Sequence, residues 1–318
     1  MKLIVSQLKA LGRYVSREFH YVMTDLIRHF GWQHIDPHKL WQSHGSIKNK
    51  LLQEFGELPE IILFWEQYSF LNAHSSEIMR LDCRKCIFCD DLHWWRDEMR
   101  SSKLAGFAMC DLVITPYAYL WTKFYPELSH ASVAWVPHAA SPDFMIAFNE
   151  RPENSIFLSG AINEYYPMRQ QMKDLAQQRV CSIIYQSHPG YHCSHDYDNS
   201  PNIGREFAKK INRYRVGFTD SLKYGYVLAK YFEIPATGAL LLADDTVLPQ
   251  LHLLGFEENV HYVPVSSRNL EQQIRFVLDQ ENHARLDQIR RNGQTLVWER
   301  HKTNDRAKQI DEACRACN

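Results

Sequence analysis

Tyr231-Phe-Glu-Ile-Pro-Ala-Thr-Gly-Ala-Leu-Leu-Leu-Ala-Asp-Asp245 is the stretch on which the reading of this chain turns. It sets one acid, Glu233, at an expected helix end. Pro235 and Gly238 then mark a turn, and Leu240 opens an apolar run that reads as a buried parallel strand. A carboxylate at the edge of an α/β sheet can accept both hydroxyls of a ribose, and proline and glycine let the backbone turn tightly beside a ligand. An ordinary helix–turn–strand with a solvated glutamate has the same spacing, so spacing alone leaves both readings open.

The flanking segments repeat this alternation. Upstream, Ser155–Ser159 predicts a strand running into Gly160, Pro167–Gln178 a helix and Val180–Gln186 a strand. Ser187–Pro201, rich in His, Gly, Asp, Asn and Ser, predicts a loop able to fold over a site. Phe207–Tyr214 then reads as a helix, Arg215–Thr219 as a strand and Gly225–Phe232 as a helix. Downstream, His261–Val265 is a last strand and the chain is helical from Asn269. The first half alternates likewise. Strands are expected at Leu3–Ser6, Glu60–Trp65, Lys85–Cys89, Asp111–Thr115 and Ala131–Val136, with helices at Arg17–Phe30, Trp94–Ala108 and Tyr117–Phe124. Such alternation argues for parallel sheets covered on both faces. Two prolines and several polar residues make Ser141–Asn154 the expected linker. The expected division is 1–145, 152–300 and a C-terminal helix at 301–318.

Size and composition allow this plan. At 318 residues there is room for two domains, and 45% hydrophobic with 23% charged residues describes a soluble globular chain. No window approaches the ~18 apolar residues of a membrane span, and the N-terminus lacks the core of a signal peptide, so a cytoplasmic location is expected. With 36 basic against 37 acidic residues, the charge argues against a dedicated nucleic-acid binder. Cys83, Cys86 and Cys89 lie three apart, and Cys314 and Cys317 form a second close pair, which invites a zinc reading. However, Cys86-Ile-Phe-Cys89 reads as strand, where residues three apart point to opposite faces. Small buried thiols of a reducing compartment are the plainer reading, and no metal is expected.

The opening segment resembles the sugar-nucleotide-binding signature of GT-B glycosyltransferases, in particular the group 1 transferases related to bacterial spore-maturation proteins. Their second lobe carries a run close to R-x-F-E-I-P-A-x-G-x-L-L-L. Here Lys230 stands near the usual arginine, and Phe232, Glu233, Ile234, Pro235, Ala236, Gly238 and the leucines stand as in the pattern. The resemblance covers Ser155 to Arg306 well; in the first half only Asp90-Asp-Leu-His-Trp94 and Trp135-Val-Pro-His-Ala-Ala140 carry it. It implies an α/β fold of GT-B type, with two Rossmann-like domains whose parallel sheets face a central cleft. The first would serve the acceptor and the second the nucleotide sugar, and the C-terminal helix would pack back on the first.

Site residues follow from the resemblance and from local chemistry. Ser159-Gly160-Ala-Ile-Asn-Glu-Tyr-Tyr166-Pro-Met-Arg169 matches a family G…Y-P-x-R run. There Gly160 would admit the donor, and Tyr166 and Arg169 would flank its diphosphate near a helix start. Thr219-Asp-Ser221-Leu-Lys223-Tyr224-Gly-Tyr226 offers further donor contacts, with Ser221 as a helix cap and Lys223 as charge; a plain capped helix would look the same. Many retaining relatives carry a glutamate eight positions before the second one. Gly225 stands there instead, so that role is not carried over. In the first half, Asp91 and His93 end a strand and can act as general base on an acceptor hydroxyl, while His138 is an acceptor-side candidate. Asp90 and Asp91 could instead hold a metal, though the family stabilises its leaving diphosphate without one.

The implied activity is transfer of a sugar from a nucleotide diphosphate donor to an acceptor hydroxyl, metal-independent and with retention. The donor is a substrate, and no separate cofactor is implied. Acceptors open to such an enzyme include a glycan, lipid, protein, metabolite or DNA base. A sugar-nucleotide epimerase of the same fold and a non-catalytic sugar-nucleotide-binding protein remain alternatives. G-x-G-x-x-G, G-x-x-x-x-G-K-[ST] and G-x-S-x-G are absent, which removes dinucleotide, P-loop and serine-hydrolase readings.

Overall fold

Short apolar runs become the strands of two parallel sheets in the computed structural model, which describes residues 1–42, 45–178 and 182–316. The first sheet holds β1 (Lys2–Val5), β2 (Trp32–Ile35), β3 (Ile61–Trp65), β4 (Arg84–Phe88), β5 (Leu112–Thr115) and β6 (Val133–Trp135), in the order β2-β1-β3-β4-β5-β6. The second holds β7 (Glu153–Gly160), β8 (Ile183–Ser187), β9 (Tyr214–Thr219), β10 (Leu240–Asp244) and β11 (Val263–Val265), in the order β11-β10-β9-β7-β8. Runs such as Ile61-Ile-Leu-Phe-Trp65 and Leu240-Leu-Leu-Ala-Asp244 are buried throughout. Strands apolar on both faces need cover on both, which is why these are parallel strands joined by helical crossovers.

The chain divides into two units. The first comprises Met1–Gly12, Phe19–Pro137 and the chain from Asn304 onward; the second comprises Arg13–Glu18 and His138–Thr303. In the first unit, α1 (Glu18–Phe30) buries Val22, Met23 and Leu26 at helical spacing against Ile4, Leu63, Cys86 and Ile114. Next, α2 (Ile47–Phe55) is capped by Ser46, whose Oγ accepts the Asn49 N–H at 3.3 Å, and ends at Gly56 with φ of 76°. Farther along, α3 (Asp97–Ala108) buries Phe107 and Lys103.

In the second unit, α4 (Pro167–Gln177), α5 (Gly204–Arg213), α6 (Lys230–Ala236), α7 (Leu270–Leu278) and α8 (His283–Arg300) accompany the sheet. Ile156, Leu158, Val216, Phe218, Leu240, Leu242 and Val263 meet Met168, Met172, Ile274 and Ile289 in its core. The final helix, α9 (Thr303–Ala316), sends Ala307, Ile310 and Cys314 into the core of the first unit. Among the described residues no helix is long and apolar enough to cross a membrane.

Several local expectations are corrected. Trp32–Ile35 is a strand that the pattern did not suggest. The helix expected at Gly225–Phe232 starts only at Lys230 and runs to Ala236, because Gly225 (φ 81°) and Leu222 (φ 55°) put the preceding residues in a turn. Glu233 therefore sits inside a helix instead of at its end, and Gly238, with φ of 80°, supplies the turn into β10. The beginning of the strand expected at Val180–Gln186 lies outside the described residues, as does Cys317.

Candidate active site

Strand order gives the second unit a candidate site. Its sheet reverses between β7 and β9, and the crevice beyond the carboxyl ends of strands at such a switch point is where open α/β sheets take ligands. Gly160 ends β7 and Thr219 ends β9. Gly160 has φ of 109°, and a Cβ there would lie 2.8 Å from Arg169 Nη1 and 3.3 Å from Lys230 Cε. Only glycine fits, and two cationic side chains flank it.

These two cations differ in what balances them. Arg169 is buried, its Nε 2.8 Å from Asp220 Oδ1, and its backbone N–H donates to Asp220 Oδ2 at 3.2 Å. Its guanidinium also donates to Ala161 O and Thr219 Oγ1, both at 3.3 Å, and lies 4.0 Å from the Tyr166 ring centre. Burial raises the Asp220 carboxyl, opposed by Arg169. Lys230 stands one turn before Glu233, with 4.0 Å between Nζ and Oε2. Burial pushes Lys230 down to about 8, Glu233 pulling it up and Arg169 pushing it down. Burial raises Glu233 in turn, opposed by Lys230, with Glu18 and Asp143 adding to the rise and His138 opposing it.

A second polar group surrounds Glu233. Glu18 Oε2 is 2.9 Å from His138 Nδ1, and Glu18 Oε1 accepts the Ala139 N–H at 2.7 Å. Arg17 holds Asp143 with two nitrogens, at 2.8 Å and 3.2 Å, and lies 3.8 Å from the Tyr197 ring centre. Tyr197 donates to Val15 O at 3.0 Å, which ties the Ser187–Pro201 loop to Arg13–Glu18. Glu18 and Asp143 were not among the expected site residues because their contacts, to His138 and Arg17, run across 120 positions or more, and Lys230, though part of the opening run, meets Gly160 only in the fold.

The expected donor residues divide. Gly160, Tyr166, Arg169, Thr219 and Glu233 come together. Ser221 caps no helix, since a turn follows it; its Oγ donates to Asp244 Oδ2 at 2.6 Å and its N–H to the same oxygen at 3.1 Å. Pro235 is not in a turn but inside α6, where it packs toward Gly293. Lys223 is exposed, its Nζ 3.9 Å from the Tyr165 ring centre and 5.4 Å from that of Tyr224. His138 falls in the second unit, bonded to Glu18, not at the end of a first-unit strand.

Asp91 and His93 lie in the first unit, after β4. His93 is buried with Nδ1 3.7 Å from Asp91 Oδ1, its ring edge-on to Trp95 at 4.9 Å. Lys103 donates to the carbonyls of both Asp91 and His93, so a buried ammonium fixes this segment. The free thiols of Cys86 and Cys314 share a hydrogen bond, whereas the Cys89 thiol donates to Asp91 O at 3.3 Å. Among the described residues no group of three or more His, Cys, Asp or Glu is arranged to hold a metal ion.

Residues 168–312 match the family model described as glycosyl transferase-like. Comparison with curated proteins finds no match. Anabaena Alr3699/HepE, solved in complex with UDP and glucose, is 11% identical with a TM-score of 0.61 over 99% of each chain. An α-glucosyltransferase in complex with UDP-glucose and DNA containing an abasic site is 11% identical at a TM-score of 0.62, covering 99% of this chain and 98% of that one. A glycosyltransferase from Rickettsia africae is 8% identical at 0.60, over 100% and 99%. At such identities the structures establish the fold, and the family model bears on residues 168–312. The chain has the GT-B fold, and residues 168–312 within it are similar in sequence to the glycosyl transferase-like family.

Proposed function

We propose that the protein moves a sugar from a nucleoside diphosphate sugar to an acceptor hydroxyl, with retention of configuration and without a metal. The observation that carries this is the pairing of half-buried Lys230 with buried Glu233 beside Gly160 at the second sheet's switch point. An anion-attracting group next to a carboxylate suits a diphosphate joined to a ribose. Glu233 accepts the ribose hydroxyls, while Lys230, with Arg169 behind it, stabilises the departing diphosphate. A fixed cation in a water-poor site gives much of what a divalent metal would otherwise give. Lys230 is the less tightly paired of the two, 4.0 Å from Glu233 where Arg169 lies 2.8 Å from Asp220.

In the reaction the bond between the anomeric carbon and the diphosphate oxygen breaks, and its electron pair leaves with the diphosphate. The acceptor oxygen bonds to the same face of that carbon, and its proton passes to Asp91 or His93. The structures of UDP and UDP-glucose complexes with this fold support a uridine donor. Retention and the link to transferases related to spore-maturation proteins rest on the Phe232–Gly238 wording. A reducing cytoplasm suits the six free thiols among the described residues.

The test is incubation with UDP-, GDP- and ADP-sugars, with and without EDTA. Slow release of free sugar and nucleoside diphosphate that survives chelation is the expected result. Interconversion of sugars without release, or turnover lost in EDTA and restored by manganese, overturns the reading.

A further inference from the structure

We infer that His188 is a further donor-binding residue, which presents a neutral Nε2–H to the donor's diphosphate. The inference rests on the donor-site reading above. In the β7–β8 pairing Gly160 lies opposite Ser187, so His188 leaves the sheet at the edge where Arg169 and Lys230 crowd Gly160. The imidazole thus joins two cations around one residue that has no side chain.

The loop backbone fixes the proton. The Gly190 N–H donates to His188 Nδ1 at 2.9 Å. A ring nitrogen that accepts a bond carries no hydrogen, so the proton resides on Nε2, which becomes a donor. Tyr191 stacks on the ring at 4.0 Å between centres, and His195, whose N–H donates to Arg13 O at 3.0 Å, anchors the same loop. The position of the ring is therefore held from both ends.

The surroundings keep the ring neutral. Burial first, then Lys230, Arg169 and His195 nearby, push His188 down to about 4. The two cations are offset in part by Glu233 and Asp220. An arriving anion reverses some of this depression, but protonating Nδ1 would also break the Gly190 bond. A neutral donor adds a directed hydrogen bond to an anion without adding charge to a site already holding two cations. The sequence contains this residue within a polar loop, where its register to Gly160 is invisible.

Affinities for UDP-, GDP- and ADP-glucose, whose diphosphate diesters carry no proton titrating near neutrality, provide the test. His188→Leu should weaken the preferred donor about tenfold, as expected for a lost bond to a charged group. His188→Gln, which keeps an N–H, should stay within about threefold of wild type. Nitrogen-15 NMR of the imidazole should show the neutral Nε2–H form across neutral pH, with donor bound. Unchanged affinity in His188→Leu, or an imidazolium signal in the complex, overturns the inference while leaving the donor site standing. Failure of the wild-type protein to bind any of the three donors overturns both.

Discussion

Glu233 and Lys230 each set the state of the other, one helical turn apart and 4.0 Å between charged groups. Replacing Glu233 with alanine should weaken donor binding by ~1.5–3 kcal/mol, since the ribose hydroxyls lose a charged acceptor. Calorimetry with UDP decides this, and an unchanged affinity sinks the ribose assignment. Lys230 makes a second prediction with opposed signs. Its folded value lies at about 8 and its ordinary value is 10.5. Between those limits the unfolded chain binds more protons, so this residue's contribution to stability rises with pH. Donor affinity should do the reverse, holding below about 8 and falling above it as the ammonium is lost. Lys230→Met should abolish both trends in parallel titrations of melting and of binding. Glu233 and Gly160 were legible because each sits in a distinctive local run. Glu18, Asp143 and His188 were not, because chain segments far apart in sequence bring them together.

At the scale of elements, long apolar runs declared themselves and short mixed ones did not. Ile61–Trp65 and Leu240–Asp244 are strands by composition alone. Trp32-Gln-His-Ile35 has two polar residues in four, and only its parallel pairing to β1 makes it a strand. The α6 boundary was misplaced because left-handed Leu222 cannot be foreseen from leucine's usual backbone preference. Nor does sequence reveal what anchors α9. Asp311 on this helix takes Trp32 Nε1–H at 2.8 Å, Arg315 Nε at 2.9 Å and the Lys2 ammonium, while its own side chain is only 7% exposed. Removing it leaves a nearly buried lysine without its counter-ion, though still bonded to Phe30 O, and an indole N–H without its acceptor. Asp311→Ala should therefore destabilise the first unit by about 3 kcal/mol. Urea unfolding followed by tryptophan fluorescence measures this, and a loss under about 0.5 kcal/mol would show the cluster to be no more than a surface ion pair.

Over the whole molecule the same strand plan occurs twice, with a reversal between β1 and β3 in one sheet and between β7 and β9 in the other. Repetition of the plan was readable from alternating segments; the assignment of chemistry to each copy came from the resemblance alone, and it makes the sharpest prediction. The residues proposed to hold the donor, Gly160, Arg169, Lys230 and Glu233, all belong to the second unit, whereas Asp91 and His93 belong to the first. Binding and turnover should then separate by mutation. Asp91→Asn and His93→Gln should cut turnover by about 10²–10⁴ while leaving UDP affinity intact, as for a lost general base. Glutamine at His93 limits the loss of packing against Trp95. Arg169→Ala and Lys230→Met should do the converse in part, weakening UDP by losing charge-assisted bonds. Calorimetry and single-turnover kinetics on the four variants are sufficient. If Asp91→Asn abolishes UDP binding yet leaves turnover per bound donor untouched, this division of labour between the units is wrong.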